Sequence, residues 1–177
     1  VAVPAVDELR REGWLYDGSL RKAILSNANL EGANLGGAHL EQANLRNAFL
    51  REIILQKANL GGADLREADL KEANLCSANA ERATLPDADL AGAWLIHSNL
   101  EGANLWRVNL VDTHIEEANL RNAILKGAIL RDANLGGADL READLAGANL
   151  AGEWLNEANL GNVKVATYQL RTARSLA

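Results

Sequence analysis

The feature that excludes most folds for this chain is a period of five. From Leu20 to Leu170 every fifth residue is apolar, with no insertion or deletion to break the register. Of those 31 positions, 28 are Leu, the exceptions being Ala80, Ile115 and Val165. Two residues before each centre 23 of the 31 are Ala, and one before it 18 are Asn or Asp, so the unit reads A-(D/N)-L-x-x. An α-helix cannot use this pattern. At about 100° per residue a step of five advances about 500°, which scatters the leucines around the cylinder. A flat strand fails too, because strict alternation breaks within each unit. A short extended piece followed by a corner fits: Ala and Leu point inward, the Asx between them points outward, and the x-x pair turns.

The corner has its own signature. Nine of the fifteen glycines stand at its second position, among them Gly62, Gly92 and Gly137. A type II turn needs positive φ there, and glycine adopts it without steric cost. Pro86 occupies the first corner position, where a fixed φ belongs. Corners with Glu67, Glu72 or Glu142 in second place suit a type I turn better.

A-(D/N)-L-x-x in long tandem resembles the pentapeptide repeat family over residues 18–172. The resemblance implies an all-β fold: a right-handed quadrilateral β-helix with four pentapeptides per coil. Thirty-one units then make nearly eight coils. Stacked at the strand spacing of ~4.8 Å, they give a rod about 37 Å long. Leu30, Leu60, Leu100, Leu120 and Leu140 belong to its interior ladders, and burying each leucine contributes ~1.5–3 kcal/mol. The Asx columns read as scaffold, their side chains bonding backbone near the turns. On that reading Asp64, Asp69, Asp89, Asp139 and Asp144 are not paired catalytic acids.

The segment ANLGGADLREADL stands at 58–70 and again at 133–145. An offset of 75 is fifteen units and not a multiple of four. On a four-sided coil the copies fall on different sides, which marks them as duplicated scaffold and not as a duplicated site.

Residues 1–17 lack the period and read as an N-terminal helical cap. Within it Pro4 to Glu12 forms a helix with Val6 and Leu9 on one side, and Trp14 and Tyr16 pack over the first coil. The repeat body spans 18–165. Residues 166–177 read equally as a short helical lid or as the contact of a homodimer, either of which shields an open edge.

Irregularities gather on one expected side, centred on Leu35, Leu55, Leu75, Leu95, Ile115, Leu135 and Leu155. Its outward positions hold Ile54, Trp94, His114 and Trp154, its inward small-residue positions hold Ile53, Thr113 and Glu153, and Ile96 and His97 follow at a corner. Ile54, Trp94, Ile96, His114 and Trp154 form the candidate interaction face, since exposed aromatic surface marks contact sites. Set against this, outward exceptions such as Ile24, Phe49, Trp106, Ile124 and Ile129 occur on the other sides, as drift in a tolerant scaffold would leave them. Glu153, standing where Ala belongs, is expected to swing out or to pair with Arg171 or Arg174. His97 and His114 lack the further ligands a metal site needs. Cys76 at a corner reads as an incidental surface thiol.

No nucleotide loop, metalloprotease helix, serine elbow or zinc-spaced cysteine set is present, and a filled Leu/Ala core leaves no substrate cavity. The expectation is a non-enzymatic scaffold with no cofactor or metal, offering flat rigid faces to an unidentified protein partner. A net charge of −6 argues against direct nucleic-acid binding. No apolar run approaches a membrane span. A lone cysteine fits a cytoplasmic protein, although a chain starting at Val1 leaves an earlier targeting segment open. The resemblance also implies a bacterial, cyanobacterial or plastid origin. It supplies the alternative function as well, a DNA mimic that engages a type II topoisomerase such as gyrase.

Overall fold

A computed structural model describes residues 3–171. The chain is a repeat solenoid. The outward residue of each five-residue block forms a single parallel bridge with the outward residue twenty positions on, as in Asn59 with Asn79 and Asn79 with Asn99. A step of twenty means four blocks and four corners per coil. Among the described residues no continuous strand forms, only these one-residue bridges. Corners on both sides of each three-residue side leave only its central residue with ladder geometry.

The block Ala58-Asn59-Leu60-Gly61-Gly62 shows how every backbone N–H is used. Ala58 donates to Leu55 O within its own coil at 2.9 Å. Asn59 donates back to Ala38 O (2.9 Å), and Leu60 and Gly62 donate forward to Asn79 O (2.6 Å) and Glu81 O (2.9 Å). The fifth, on Gly61, has no carbonyl to meet, and Asn59 Oδ1 accepts it at 3.1 Å. All 18 Asn and Asp residues of the outward columns make this bond to the amide two residues on, at 3.0–3.3 Å. The Asx preference is therefore a hydrogen-bond requirement of the corner. Thr84 illustrates the converse. Two residues after it stands Pro86, which has no N–H, so no acceptor is needed at position 84.

The corners are more uniform than the sequence suggests. Every second corner residue from Lys22 to Asn162 has positive φ, whether glycine or not. Glu67, Glu72 and Glu142 lie at 59°, 58° and 62°, so the type I expectation fails for them. Their amides must point along the rod: Glu67 N–H reaches Pro86 O at 3.0 Å, and only the left-handed conformation aims it there.

The four outward columns define four faces. The first runs from Ile24 to Lys164, the second from Asn29 to Asn149, the third from Asn34 to Trp154 and the fourth from His39 to Asn159. Leu and Ala fill the interior almost alone; Leu60, Leu100, Leu120 and Leu140 are buried, as is Leu30 near the N-terminal end. On the fourth face Asn79, Asn99 and Asn119 each donate Nδ2 to the Oδ1 of the asparagine one coil before, at 3.0–3.2 Å. The two copies of ANLGGADLREADL put Asn59 on the fourth face and Asn134 on the third. Each copy rebuilds the same local pair, Asp64 with Arg66 and Asp139 with Arg141, and the guanidinium holds both carboxyls below the usual range.

Both ends are covered. Helix α1 (Val3–Arg11) runs into Gly13, whose φ of 79° turns the chain back toward the first coil. Trp14 and Tyr16 remain half-exposed; Leu15 between them is the residue that plugs the end. Leu15 O accepts from His39 N–H at 2.9 Å, and the Arg10 guanidinium donates to Asn34 O, so the cap stands in for a missing coil. Helix α2 (Thr167–Leu170) closes the other end through Gln169, which is 5% exposed. Gln169 Nε2 donates to Leu145 O (2.9 Å) and Ala148 O (2.7 Å), and its Oε1 accepts from Ala166 N–H at 3.0 Å. Residues 172–177 of the expected terminal cap lie outside the described residues. Among the described residues no helix is long and apolar enough to cross a membrane.

Candidate functional site

The third face brings Ile54, Trp94, His114 and Trp154 into one column, because Asn34, Ile54, Asn74, Trp94, His114, Asn134 and Trp154 are successive bridge partners. Ile54, Trp94 and Trp154 are exposed, and His114 is partly so; Ile96 is half-buried at its corner and contributes little surface. Trp94 and His114 stack, with ring centroids 4.3 Å apart and planes 22° from parallel. Coils are spaced at ~4.8 Å, so stacked side chains on neighbouring coils must lie nearly flat across the rod. Each such residue also gives up the Asx bond, since Ile54, Trp94, His114 and Trp154 offer no side-chain oxygen to the corner amide two residues on.

Next to this stack the face dips into a groove of ≈ 560 Å³, lined by His114, Glu116, Asn134, Gly136, Gly137 and Trp154 together with Asp112, Thr113, Glu117, Asp132, Asn156 and Glu157. Asn134 is shorter than its column neighbours, and Gly136-Gly137 add no side chains at the next corner, which is why the surface sinks there. Five carboxylates line the groove; Arg131 is 3.5 Å from Asp132, and among the described residues no lysine or arginine is part of the lining. Glu116 Oε1 accepts from Asn134 Nδ2 at 2.6 Å and lies 3.4 Å from His114 Nδ1. Glu116 Oε2 is out of solvent and has no hydrogen-bond donor. The groove was not visible in the sequence pattern, though the Gly136-Gly137 corner beside an aromatic column was its signal.

The inward exceptions have separate fates. Ile53 is buried, and Thr113 is buried with Oγ1 3.4 Å from Leu90 O and from Val111 O. Glu153 is fully buried, neither swinging out nor pairing with Arg171, and both carboxylate oxygens lack a hydrogen-bond partner. Burial alone pushes its pKa up to about 7. Arg174, the other expected partner, lies outside the described residues. His97 and His114 each sit beside a glutamate, Glu117 at 3.3 Å and Glu116 at 3.4 Å. No group of three potential metal ligands occurs among the described residues. Cys76 is a free, partly exposed thiol.

Exposed apolar residues elsewhere are dispersed. Phe49 has Asn29 and Asp69 as column neighbours, and Ile129 has Asn109 and Asn149. Trp106, at a corner, carries the Arg107 guanidinium 4.9 Å over its ring. Among the described outward columns, two aromatic rings adjoin at Trp94 and His114 of the third face.

The model of the family described as pentapeptide repeats matches in eight copies between residues 23 and 162. The chain belongs to the pentapeptide repeat family. Its solved relatives include HetL of the cyanobacterium Nostoc sp. strain PCC 7120, described as involved in heterocyst differentiation regulation. That match is 33% identical and covers 81% of this chain and 72% of HetL, with a TM-score of 0.47. A pentapeptide repeat protein of the Arabidopsis thaliana thylakoid lumen is 24% identical over 57% of this chain and 70% of its own, with a TM-score of 0.50. QnrB1, a plasmid-mediated fluoroquinolone resistance protein, is 21% identical over 81% of this chain and 80% of its own, with a TM-score of 0.38. No curated protein sequence matches the chain. The repeat itself is common to the family, so the match does not single out a site.

Proposed function

We propose that the chain is a non-enzymatic scaffold that docks a protein partner on its third face. The observation that carries this reading is the Trp94–His114 stack beside the ≈ 560 Å³ groove ending at Trp154. Each aromatic side chain there replaces an Asx that the fold uses elsewhere, and large exposed rings on a rigid support make low-entropy anchors. The same reading takes the solenoid as the right-handed square β-helix that the family resemblance implies. The interior is packed with Leu and Ala, so partners meet only outer faces. HetL's stated part in regulating differentiation is the kind of role a docking face can serve.

Affinity capture on this chain tests the reading, with Trp94→Ser/Trp154→Ser against wild type and Trp106→Ser as a control on a separate corner. Loss of the captured partner in the double variant alone is the expected result. Unchanged capture would sink it. The topoisomerase alternative draws on negative charge, but much of that charge is neutralised locally, as in Lys71 with Asp89 at 2.8 Å and Arg107 with Asp87 at 3.0 Å. A gyrase supercoiling assay with added protein separates the two readings, inhibition favouring the mimic.

A further inference from the structure

We infer that the fourth face is the interface of an antiparallel homodimer, two copies of the chain lying face to face with their rods running in opposite directions.

The face is level. Its outward column runs from His39 through Asn59, Asn79, Asn99 and Asn119 to Asp139 and Asn159. Among the described residues, none of the exposed large apolar side chains stands in it. The asparagines from 59 to 119 are tied to one another through their side-chain amides, which holds the row in place. An amide both donates and accepts, so one such row can lie against another.

Charge on the two bordering corner columns selects the occupant. After the face, the first corner residues are Gly61, Glu81, Glu101, Arg121, Arg141 and Gly161 on successive coils. The series changes sign about a point midway between the coils of Asn99 and Asn119. A two-fold axis through that point, lying across the face, sets Glu101 against Arg121 of the second copy. It also sets Glu81 against Arg141, and Gly61 against Gly161. Before the face, the second corner residues are Lys57, Ser77, His97, Glu117, Gly137 and Glu157. The same axis sets Lys57 against Glu157 and His97 against Glu117. Within one copy His97 already lies 3.3 Å from Glu117, so the axis brings two such pairs together head to tail. Each border is therefore complementary to its own reversed copy, about one shared centre.

A parallel pairing fits worse. It sets one border against the other at equal height, leaving Glu81, Arg141, Lys57 and Glu157 opposite uncharged residues. At the centre, Glu101 gives Oε2 to Asn119 Nδ2 at 3.1 Å, and among the described residues neither Glu101 nor Arg121 is in an ion pair. Exposed pairs contribute little singly; repeated along two borders, they fix register and orientation. The axis leaves the outward direction of the adjoining third face unchanged, so both third faces open on one side of the dimer.

The test is sedimentation velocity of the intact protein at about 100 μM, where a dimer of micromolar Kd is populated. A dimer is expected at low salt, dissociating in about 1 M salt, where a screening length of ~3 Å silences exposed pairs. Glu101→Arg and Arg121→Glu each place like charges across the axis twice, and each should weaken dimerisation at least tenfold. Mixed in equal amounts, the two variants regain opposite charge at both contacts, and dimer should return. The parallel pairing predicts no such recovery. Trp94→Ser/Trp154→Ser should dimerise as the wild type does. A wild type that is monomeric at low salt, an undiminished Glu101→Arg dimer, or a mixture that stays monomeric would each overturn the inference. Loss of the dimer in the double Trp variant would move the contact to the third face and overturn it too. Partner capture is a separate measurement, so the docking reading and the dimer can fail independently.

Discussion

Replacing Glu153 by Gln should change stability in a pH-dependent way that identifies the protonation state of the buried group. Glu153 is fully buried without a partner for either oxygen, and burial pushes its pKa from 4.5 to about 7. A carboxyl with a raised folded-state pKa penalises the folded protein once it ionises in the unfolded chain, because folding must then take up a proton or, at higher pH, bury a charge. Below about pH 4.5 the group is neutral in both states and imposes no charge penalty. Stability falls as pH rises toward 7, then stays low above it. The full shift corresponds to about 3 kcal/mol at pH 8, with about 1 kcal/mol already lost at pH 5. Glutamine keeps the shape and removes the proton equilibrium. Its own unsatisfied amide adds an offset that does not vary with pH, so the informative quantity is the change in the wild type–variant difference. That change should be about 2–3 kcal/mol in favour of the variant between pH 5 and pH 8, or about 5–10 °C in melting temperature for a chain this size. A solenoid loosens from its ends, so exchange of the Asn149 and Trp154 amides, which bond to Ala128 O and Ala133 O, should follow the same trend locally. A difference that is flat with pH would mean Glu153 is ionised and paired in the folded protein. The reasoning from burial would then be wrong.

Leu100→Ala should destabilise the rod by ~2–5 kcal/mol by opening a cavity in the ladder, whereas Glu101→Ala, outside it, should change chemical denaturation by less than about 1 kcal/mol. Asn99→Leu removes the bond to the Glu101 amide and the links to Asn79 and Asn119; thermal melts should show a loss of about 1–3 kcal/mol. Glu67→Gly relieves a non-glycine residue at φ 59°. The strain relieved, about 1 kcal/mol, is offset in part by the greater freedom of glycine in the unfolded chain, so denaturation should show a small gain or no change. A loss above about 1 kcal/mol there would refute the strain argument.

The repeat body was legible because period and hydrogen bonding coincide. A step of five fixes which residue faces inward, and each Asx is required by the amide that follows it. Turn type was less legible, since Gly advertises positive φ but Glu67 and Glu72 adopt it too; the demand comes from the next coil's carbonyl, which no local sequence rule contains. The end plugs were missed for a similar reason. Leu15 and Gln169 sit where the lattice stops, and which neighbour turns inward there depends on three-dimensional fit. Glu153 was read from the habit that buried acids find bases, yet Arg171 is not placed to reach it. The third face could be drawn from the twenty-residue step supplied by the family resemblance. Its groove could not, because it arises from a short side chain at Asn134 and none at Gly136 and Gly137, and not from any conspicuous residue.

Thr84 and Pro86 have a further consequence. At each Asx corner, such as Asn59 with Gly61, the amide and the Asx two residues earlier are donor and acceptor of one bond, so each position is constrained by the other. Pro86 removes the donor and with it the constraint on position 84. The two sites are therefore thermodynamically a single variable: restoring Asn at 84 gains nothing while Pro86 remains, and replacing Pro86 leaves an amide that Thr84 serves only weakly. Similarity to the repeat consensus is thus a poor guide to fitness at any one position of this chain. The pair is the unit on which selection can act.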